Sequence, residues 1–359
     1  MTDVSSADES AIERIEARRV WVIVNPRAGR GLAATVARTI VSDLRRSGVA
    51  TSLTQTHPAE TVSPSGDHDA VLVIGGDGTV RAAVERLLQL GMVPPILPVP
   101  MGTANLLGRH LGLRRTLWNV AMDGVRESAS RIVGSGRLGR RVMRIGRRTL
   151  LPGPRRLAKT ISHDACRALS RGMVRRLDIG RVEGRGPFLL MASVGFDAQV
   201  VAELDRRRSR SPGPIGLTSY ALPAASALLS RDVPAITVTV DGQRVFGPAP
   251  AIAMVANMPE YGAGFPIAPD AISDDGLLDV VCLPRDGPMD VVKWFTLAAI
   301  GRHVDADGVV RAKGSEVTIA SNADDTPVQI DGDPGGVLPI TTRVEKHAVP
   351  FVLLHPNGN

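Results

Sequence analysis

The chain has 359 residues and a mass of 38.0 kDa, and 43% of its residues are hydrophobic. This composition is typical of a globular protein of about two domains, and it excludes disordered and collagen-like chains. The two cysteines, Cys166 and Cys282, form no CxxC pair, so a disulfide framework or structural zinc site is not expected. The polar N-terminus and the absence of a long apolar run predict neither a signal peptide nor a transmembrane helix, and we expect a cytoplasmic protein.

The net charge of +7 is concentrated in residues 126–176, which contain 15 Arg and Lys residues and two acids. Elsewhere, 34 acidic residues outnumber 28 basic ones. Such a cluster favours phosphates, on a membrane surface or on a nucleic acid. Aromatic residues make up 3% of the chain, which argues against stacking on single-stranded nucleic acid, so nucleic acid is not the expected partner.

An amphipathic helix is predicted in the second half of this basic segment, because apolar residues recur there every four positions among Arg and Lys. This helix either lies on an anionic membrane or packs its apolar side against a protein core with a solvated basic side. The recurring apolar residues are Leu157, Ile161, Ala165, Leu169, Met173 and Leu177.

Residues 1–18 form a charged lead-in, and residues 19–113 repeat the order strand, turn, helix three times. The predicted strands at 20–24, 70–74 and 96–99 are continuous apolar runs, which is typical of strands buried on both faces. A turn containing glycine and a helical segment follow each of them. This alternation predicts a parallel α/β sheet.

Short β-rich runs dominate from about residue 181, at 188–194, 235–240, 251–257, 277–283, 316–320, 328–330 and 350–354. Asp-Gly turns separate several of them, and helical segments are predicted at 217–229 and 289–303. The pattern predicts a second, mainly antiparallel domain. The organisation we infer is a lead-in (1–18), an α/β domain (19–113), a basic insertion (114–176), a β domain (177–345), and a C-terminal strand and tail that can return to the first domain (346–359).

The three glycine turns are predicted to converge, because parallel strands present their carboxyl ends at one edge of the sheet, where ligands bind. Glycine permits close backbone approach, and N–H groups at a helix N-terminus bind anions. A carboxylate in the second turn, Asp77, would repel phosphate unless it binds Mg²⁺ or a substrate hydroxyl. A plain tight connection is the alternative for one such turn, but three together favour a phosphate site.

Three weaker signals lie in the second half of the chain. Asp197 follows a strand and either faces the interdomain cleft or caps a turn. Residues 272–277 offer carbonyl groups and a carboxylate to a hard cation, or form a plain hairpin. Asp331 and Asp333 stand in an Asp-Gly-Asp sequence at the end of a predicted strand, where a structural turn is the alternative.

Taken in order, these motifs resemble the diacylglycerol kinase family of lipid kinases. The resemblance covers residues 20–113 and 177–356 and rests on residues 24–31, 75–79, 100–105, 193–198, 275–280 and 331–333. It implies an N-terminal α/β domain of the NAD kinase and diacylglycerol kinase type, a C-terminal antiparallel β-sandwich and a cleft between them. It also implies transfer of phosphate from ATP to a lipid hydroxyl, most simply that of diacylglycerol, at the inner face of an anionic membrane.

The resemblance also assigns site residues. Mg²⁺ would bind Asp275 and the carbonyl oxygens of Ile272 and Leu277. From its predicted place at the interdomain cleft, and not from the resemblance, we also expect Asp197 to orient the lipid head group. The general base of the family is a Glu that falls on Asp333, one methylene shorter, so Asp77 is a second candidate for the base. The residues implied in the ATP site are Asn25, Thr56, Gly75, Gly76, Asp77, Gly78, Thr79, Val80, Arg81, Gly102 and Thr103.

One further departure from the family pattern is Leu106, which stands where many members have an acid. Two alternative functions stay open on the sequence. One is a kinase for a sphingoid base, ceramide or another alcohol; the other is a catalytically weak protein that binds nucleotides or nucleic acid. A homodimer is also left open.

Overall fold

The computed structural model describes residues 13–56, 67–102, 104–113, 153–210, 221–229, 233–262 and 264–353. Within them the helices are α1 (Leu32–Arg46), α2 (Asp77–Gln89), α3 (Leu106–His110), α4 (Pro154–Arg171), α5 (Phe196–Arg210), α6 (Ala221–Leu229) and α7 (Pro288–Ala299). The strands are β1 (Glu13–Arg14), β2 (Arg19–Val24), β3 (Ala50–Gln55), β4 (Ala70–Gly75), β5 (Ile96–Pro100), β6 (Met173–Val182), β7 (Gly186–Phe188), β8 (Met191–Val194), β9 (Ala235–Val240), β10 (Gln243–Ala256), β11 (Glu260–Tyr261), β12 (Phe265–Pro266), β13 (Leu278–Pro284), β14 (Val310–Gly314), β15 (Glu316–Ser321), β16 (Pro327–Ile330), β17 (Asp333–Val337) and β18 (Ile340–Leu353).

The N-terminal half contains a parallel sheet in the order β5, β4, β2, β3, as the buried apolar runs predict. Every residue of β4 and β5 is buried, and α1 and α2 cover the sheet with their apolar stripes. The same pairing brings the ends of β2, β4 and β5 to one edge, where the three glycine turns begin. The prediction of a parallel α/β domain is confirmed.

Helix α4 forms most of the described part of the basic segment, and its apolar side packs against α1. Ile161, Ala165 and Leu169 are buried, and the Ser162 hydroxyl donates a 2.6 Å hydrogen bond to the Asp43 carboxylate of α1. Of the two arrangements open on the sequence, the structure has the core-packed helix. Residues 114–152, the first part of the predicted insertion, lie outside the described residues.

The predicted helical run is wrong at its end, because α4 stops at Arg171 and residues from Met173 form β6. Gly172 ends the helix, and the β-branched residues of the next segment favour a strand. Strand β6 pairs along its length with β18, so the domain boundary drawn at Leu177 falls within a continuous strand.

The C-terminal half is built mainly from antiparallel strands around a core of Val, Ile and Leu side chains contributed by both layers. This agrees with the predicted β-sandwich, with β10 longer than the run that predicted it because its first half pairs with β9. At the far end, Phe351 of β18 pairs in parallel with Ile96 of β5. The two halves are therefore joined through β18 as well as at the cleft. Among the described residues, no helix combines the length and apolar character required to cross a bilayer.

Candidate active site

The turns after β2, β4 and β5 are joined by backbone hydrogen bonds. The N–H of Met101 donates to the Gly75 carbonyl at 2.6 Å, and the N–H of Gly29 donates to the Met101 carbonyl at 2.8 Å. Gly29 has φ of +56°, a left-handed conformation that glycine adopts at little cost. The predicted convergence of the glycine turns is present in this geometry.

Gly76 and Gly102 bring two of these turns into direct backbone contact. A Cβ atom on Gly102 would lie 2.5 Å from the Gly76 Cα, and one on Gly76 would lie 3.1 Å from the Gly102 Cα. Neither turn has room for a side chain at this point. Both turns therefore require glycine here, at the start of α2, and a helix N-terminus of this kind can bind phosphate.

Asp77 lies in the first turn of α2 and holds the neighbouring turn in place. Its carboxylate accepts backbone hydrogen bonds from Leu106 at 3.0 Å and Leu107 at 3.2 Å, at the start of α3. Burial raises the pKa of Asp77 to about 6, against the effect of these hydrogen bonds, and the nearby Asp331 raises it further. Both carboxylate oxygens have backbone partners, which suits a positioning residue better than a free base.

The raised pKa of Asp77 predicts a pH-dependent stability. The folded protein keeps the Asp77 proton up to about pH 6, whereas the unfolded chain releases it near pH 4. The contribution of Asp77 to the free energy of unfolding is therefore largest below pH 4 and is lost as the pH rises through 6, by roughly 2–3 kcal/mol. Denaturant unfolding of wild type and Asp77→Asn between pH 4 and 7.5 measures it.

In that experiment, the difference between the two proteins should shift in favour of Asp77→Asn as the pH rises. The exposed Asp324→Asn is the matched control and should give curves parallel to wild type. Parallel curves for Asp77→Asn as well would contradict the raised pKa.

Arg81 and Asp333 form the closest charged contact between the α2 turn and the C-terminal domain among the described ion pairs. An Arg81 guanidinium nitrogen lies 2.7 Å from the Asp333 carboxylate, which is half-exposed. A Cβ atom on Gly78 would lie 3.6 Å from the same Asp333 oxygen. The predicted base, on β17, thus lies against the predicted phosphate turn, although the two are 252 residues apart in sequence.

The two acids of the Asp-Gly-Asp sequence, Asp331 and Asp333, have different surroundings in the structure. Asp331 accepts backbone hydrogen bonds from Leu189, Leu190 and Met191, at 2.8–3.0 Å. Burial raises the pKa of Asp331, while these hydrogen bonds and Arg81 lower it. Asp331 therefore fixes the chain leading into β8, and Asp333 is the acid that faces the cleft.

Other residues predicted for the nucleotide site lie at the same edge. The N–H of Thr56 donates to the Val24 carbonyl at 2.9 Å, which places Thr56 beside Asn25, the residue after β2. Thr79 and Val80 complete the first turn of α2. Thr103 lies outside the described residues. Their contact with a nucleotide stays a prediction.

Asn105 was absent from the predicted set and organises this edge. It is 2% exposed and adopts a left-handed conformation with φ of +52°. Its side chain both accepts from the Gly102 N–H at 2.7 Å and donates to the Gly102 carbonyl at 2.8 Å. The Gly-Thr-x-Asn spacing was the sequence signal that could have identified this role.

Asp197 is 2% exposed, and its carboxylate accepts a hydrogen bond from Ser193 and a longer one, 3.4 Å, from Gln329. Burial raises the pKa of Asp197, and the Ser193 hydroxyl lowers it. A contact with a lipid head group therefore has no support in this geometry, since the side chain is enclosed by its own domain. Asp197 belongs instead to a buried polar cluster with Ser193 and Gln329 at the start of α5.

At the predicted cation loop, the carboxylates of Asp275 and of the nearby Asp279 both lie near the Lys313 ammonium group. Lys313 lies 3.2 Å from an Asp279 oxygen and 3.6 Å from an Asp275 oxygen, while the other Asp279 oxygen is buried without a hydrogen-bond partner in the described residues. The Lys346 ammonium group also lies against this loop, 2.8 Å from where a Cβ atom on Gly276 would be, so basic side chains already flank these carboxylates. Across the described residues, no cluster of three or more His, Cys, Asp and Glu side chains is arranged for a metal. A cation bound by Asp275 would thus depend on carbonyl oxygens and water.

Two more contacts cross the cleft from α3. Arg109 forms a 2.8 Å ion pair with Glu260 of β11, and His110 shares a 2.7 Å hydrogen bond with the Ser273 hydroxyl. Burial lowers the pKa of His110. The phosphate edge of the first domain and the loops of the second are therefore tied together around one cleft.

Comparison with known proteins agrees with this geometry. Residues 19–138 match the family described as Diacylglycerol kinase catalytic domain, and residues 191–353 match the YegS C-terminal NAD kinase beta sandwich-like domain. The chain is 26% identical to a diacylglycerol kinase of Mycobacterium tuberculosis over 95% of this chain and 96% of the relative. It is 22% identical to a diacylglycerol kinase of Bacillus subtilis over 90% and 92% of the two chains.

The fold is similar to the crystal structure of a diacylglycerol kinase from Bacillus anthracis, with a TM-score of 0.61 and 20% identity over 95% of this chain and 98% of that one. The two matched domains together span most of the chain, in the order that the motifs predicted. The chain therefore resembles the diacylglycerol kinase family over most of its length, carries that family's catalytic domain over residues 19–138, and is a lipid kinase.

Proposed function

We propose that this protein transfers the γ-phosphate of ATP to the hydroxyl of diacylglycerol, giving phosphatidic acid and ADP. The observation that carries the proposal is the 2.7 Å contact between Arg81 and Asp333, which brings an acid of the second domain to the glycine turn of the first. Phosphoryl transfer needs this pairing of a phosphate cradle and an acceptor base within one cleft. The names of the relatives supply the acceptor.

In this mechanism the ATP phosphates lie along the α2 turn and the Gly102 turn. The lipid hydroxyl oxygen attacks the γ-phosphorus as the bond to the bridging oxygen of ADP breaks. Asp333 takes the hydroxyl proton, as general base, because its carboxylate is half-exposed and faces the turn. Asp77, with both oxygens bound to backbone N–H groups, orients the turn.

Arg81 has two roles in the proposal. Its guanidinium lies 2.7 Å from the Asp333 carboxylate and neutralises it, and its buried Nε atom has no hydrogen-bond partner within the described residues. A phosphate oxygen can accept a charge-assisted hydrogen bond from this guanidinium. Nucleotide binding would thereby draw Arg81 away from Asp333 and leave the carboxylate free to accept the proton.

Mg²⁺ is proposed to bind at the loop that contains Asp275. Asp275 and the carbonyl oxygens of Ile272 and Leu277 would hold the ion. Support comes from the buried Asp279 oxygen beside this loop, which has no hydrogen-bond partner among the described residues. When bound, a divalent cation would stabilise this loop and neutralise its carboxylates. The loop also receives the His110 contact from α3.

The acceptor lipid is proposed to reside in an anionic membrane surface. Support comes from α4, whose outward side exposes five basic side chains while its apolar side is buried. Basic side chains near an anionic bilayer each contribute about 1 kcal/mol of attraction. The exposed basic residues are Arg155, Arg156, Lys159, Arg167 and Arg171.

Acceptor identity is tested by label transfer from γ-labelled ATP into organic-extractable product. Mixed micelles would contain diacylglycerol, a sphingoid base, ceramide or no added lipid. We expect label with diacylglycerol to exceed that with either sphingolipid at least about tenfold, as fixed positioning in a site requires. If a sphingolipid takes up more label than diacylglycerol, the acceptor is that sphingolipid and not diacylglycerol. If no lipid takes up label although the protein binds ATP, the proposed function is overturned.

A further inference from the structure

Five of the seven residues on the outward side of α7 are apolar. Its seven exposed residues, counting the residue after the helix, are Pro288, Met289, Val292, Lys293, Thr296, Ala299 and Ile300. Met289 is 73% exposed and Ile300 is 63% exposed. The opposite side of the helix is buried through Val291, Trp294 and Ala298, so this outward side is additional apolar surface and not the side that holds the helix in the domain.

Helix α6 extends this surface, because it packs beside α7 and its sequence contains no charged residue. Leu222 on α6 is 68% exposed. Of the seven large apolar side chains that are exposed among the described residues, four lie on these two helices or directly after them. Concentrated exposure of this kind marks an interaction surface, whereas single exposed apolar residues do not.

An aromatic cluster connects this surface to the cleft. Phe295 of α7 contacts Phe196, Tyr261 and Phe265, with ring centroids 5.9–6.4 Å apart, and all four rings are half-buried. Phe196 directly precedes Asp197, and Tyr261 follows Glu260, which pairs with Arg109 at the cleft. A continuous set of apolar groups therefore leads from the exposed side of α7 to the region between the domains.

We propose that α6 and the outward side of α7 dock into the acyl-chain region of a lipid bilayer, with Lys293 at the level of anionic head groups. The charge pattern favours this occupant, since Lys293 is the one charged residue among the seven exposed residues of α7, and the half-buried Asp290 carboxylate accepts hydrogen bonds from the N–H groups of Asp286 and Gly287 at the start of the helix. The aromatic cluster then contacts the acyl chains of the acceptor lipid, and the hydroxyl group of that lipid reaches the cleft. This inference rests on the proposed function, because it requires an acceptor with long acyl chains.

The test uses the full chain and the double variant Met289→Glu/Val292→Glu, both at exposed positions where substitutions change folding stability little. Sedimentation with vesicles of phosphatidylcholine containing 20% phosphatidylglycerol is measured without ATP, so it is independent of the reaction. We expect vesicle binding to fall at least about tenfold, because two apolar contacts are lost and two charges are added. Leu53→Glu, at an exposed apolar residue of β3, is the matched control and should bind like wild type.

Activity separates docking from catalysis. With long-chain diacylglycerol in the same vesicles, the double variant should lose rate in proportion to its lost binding. With a water-soluble short-chain diacylglycerol, its rate should stay within about twofold of wild type, because docking is not needed. If the double variant binds vesicles as well as wild type does, the proposed docking surface is overturned. The same holds if wild type is a dimer and the double variant is a monomer with unchanged vesicle binding, because the surface then contacts a second copy of the chain. Failure of wild type to phosphorylate either lipid would instead overturn the proposed function.

Discussion

Replacing Asp333 with asparagine is expected to lower kcat for phosphate transfer by roughly 10³-fold, as loss of a general base does. Asparagine keeps the shape of the side chain but cannot accept the hydroxyl proton. The glycine turns and Arg81 remain in place, so the KM for ATP should change by only a few-fold. If anything, ATP binds better, because Arg81 no longer has its 2.7 Å carboxylate partner.

The matched comparisons are Asp333→Glu and Asp325→Asn. Glutamate restores a carboxylate with one more methylene and should retain most of kcat, whereas Asp325 is an exposed acid before β16 whose substitution should leave transfer unchanged. Steady-state rates at saturating ATP measure all three. A kcat for Asp333→Asn near wild type would move the base to Asp77, despite the backbone hydrogen bonds that occupy its oxygens.

Arg81→Ala is expected to lower kcat/KM for ATP by about 10–100-fold, the loss of one charge-assisted hydrogen bond to phosphate. Most of this should appear in KM if Arg81 binds the ground state, and in kcat if the contact strengthens during transfer. Arg81→Lys keeps the positive charge but lacks the planar pair of N–H donors, so its kcat/KM for ATP should lie between those of wild type and Arg81→Ala. Initial rates against ATP concentration separate these cases.

Arg38→Ala, on the exposed side of α1, is the control and should be neutral. The double variant Arg81→Ala/Asp333→Asn tests whether the pair acts together. Its loss in kcat/KM should be smaller than the product of the two single losses, because each residue positions or neutralises the other. Independent, multiplicative losses would contradict a coupled pair.

The sequence predicted the α/β sheet and the position of its ligand edge well, for a physical reason. Continuous apolar runs such as β4 are buried on both faces only in a parallel sheet, and parallel strands bring their turns to one edge. Gly76 and Gly102 lie where two backbone turns touch, and this contact requires glycine because a Cβ atom at either position would be too close to the other turn.

The contacts across the cleft could not be predicted in the same way. Arg81 and Asp333 are 252 residues apart, and an Asp-Gly-Asp sequence does not tell which acid turns toward the backbone and which toward solvent. Asp197 illustrates the same limit, because whether a carboxylate after a strand faces a cleft or a buried Ser193 depends on β16, a distant strand. Helix α4 has an amphipathic pattern that fits a membrane and a protein core equally. Packing against α1 shows that its apolar side lies in the core, and this leaves only its basic side to face an anionic surface.

The central claim is tested most directly by the stoichiometry of a single reaction. ADP release and phosphatidic acid formation would be measured together, with wild-type protein, γ-labelled ATP and diacylglycerol in mixed micelles. We predict one phosphatidic acid formed for each ADP released, and little ADP when the lipid is omitted. ADP released without lipid phosphate, at the same rate with and without diacylglycerol, would contradict a lipid kinase mechanism in this cleft.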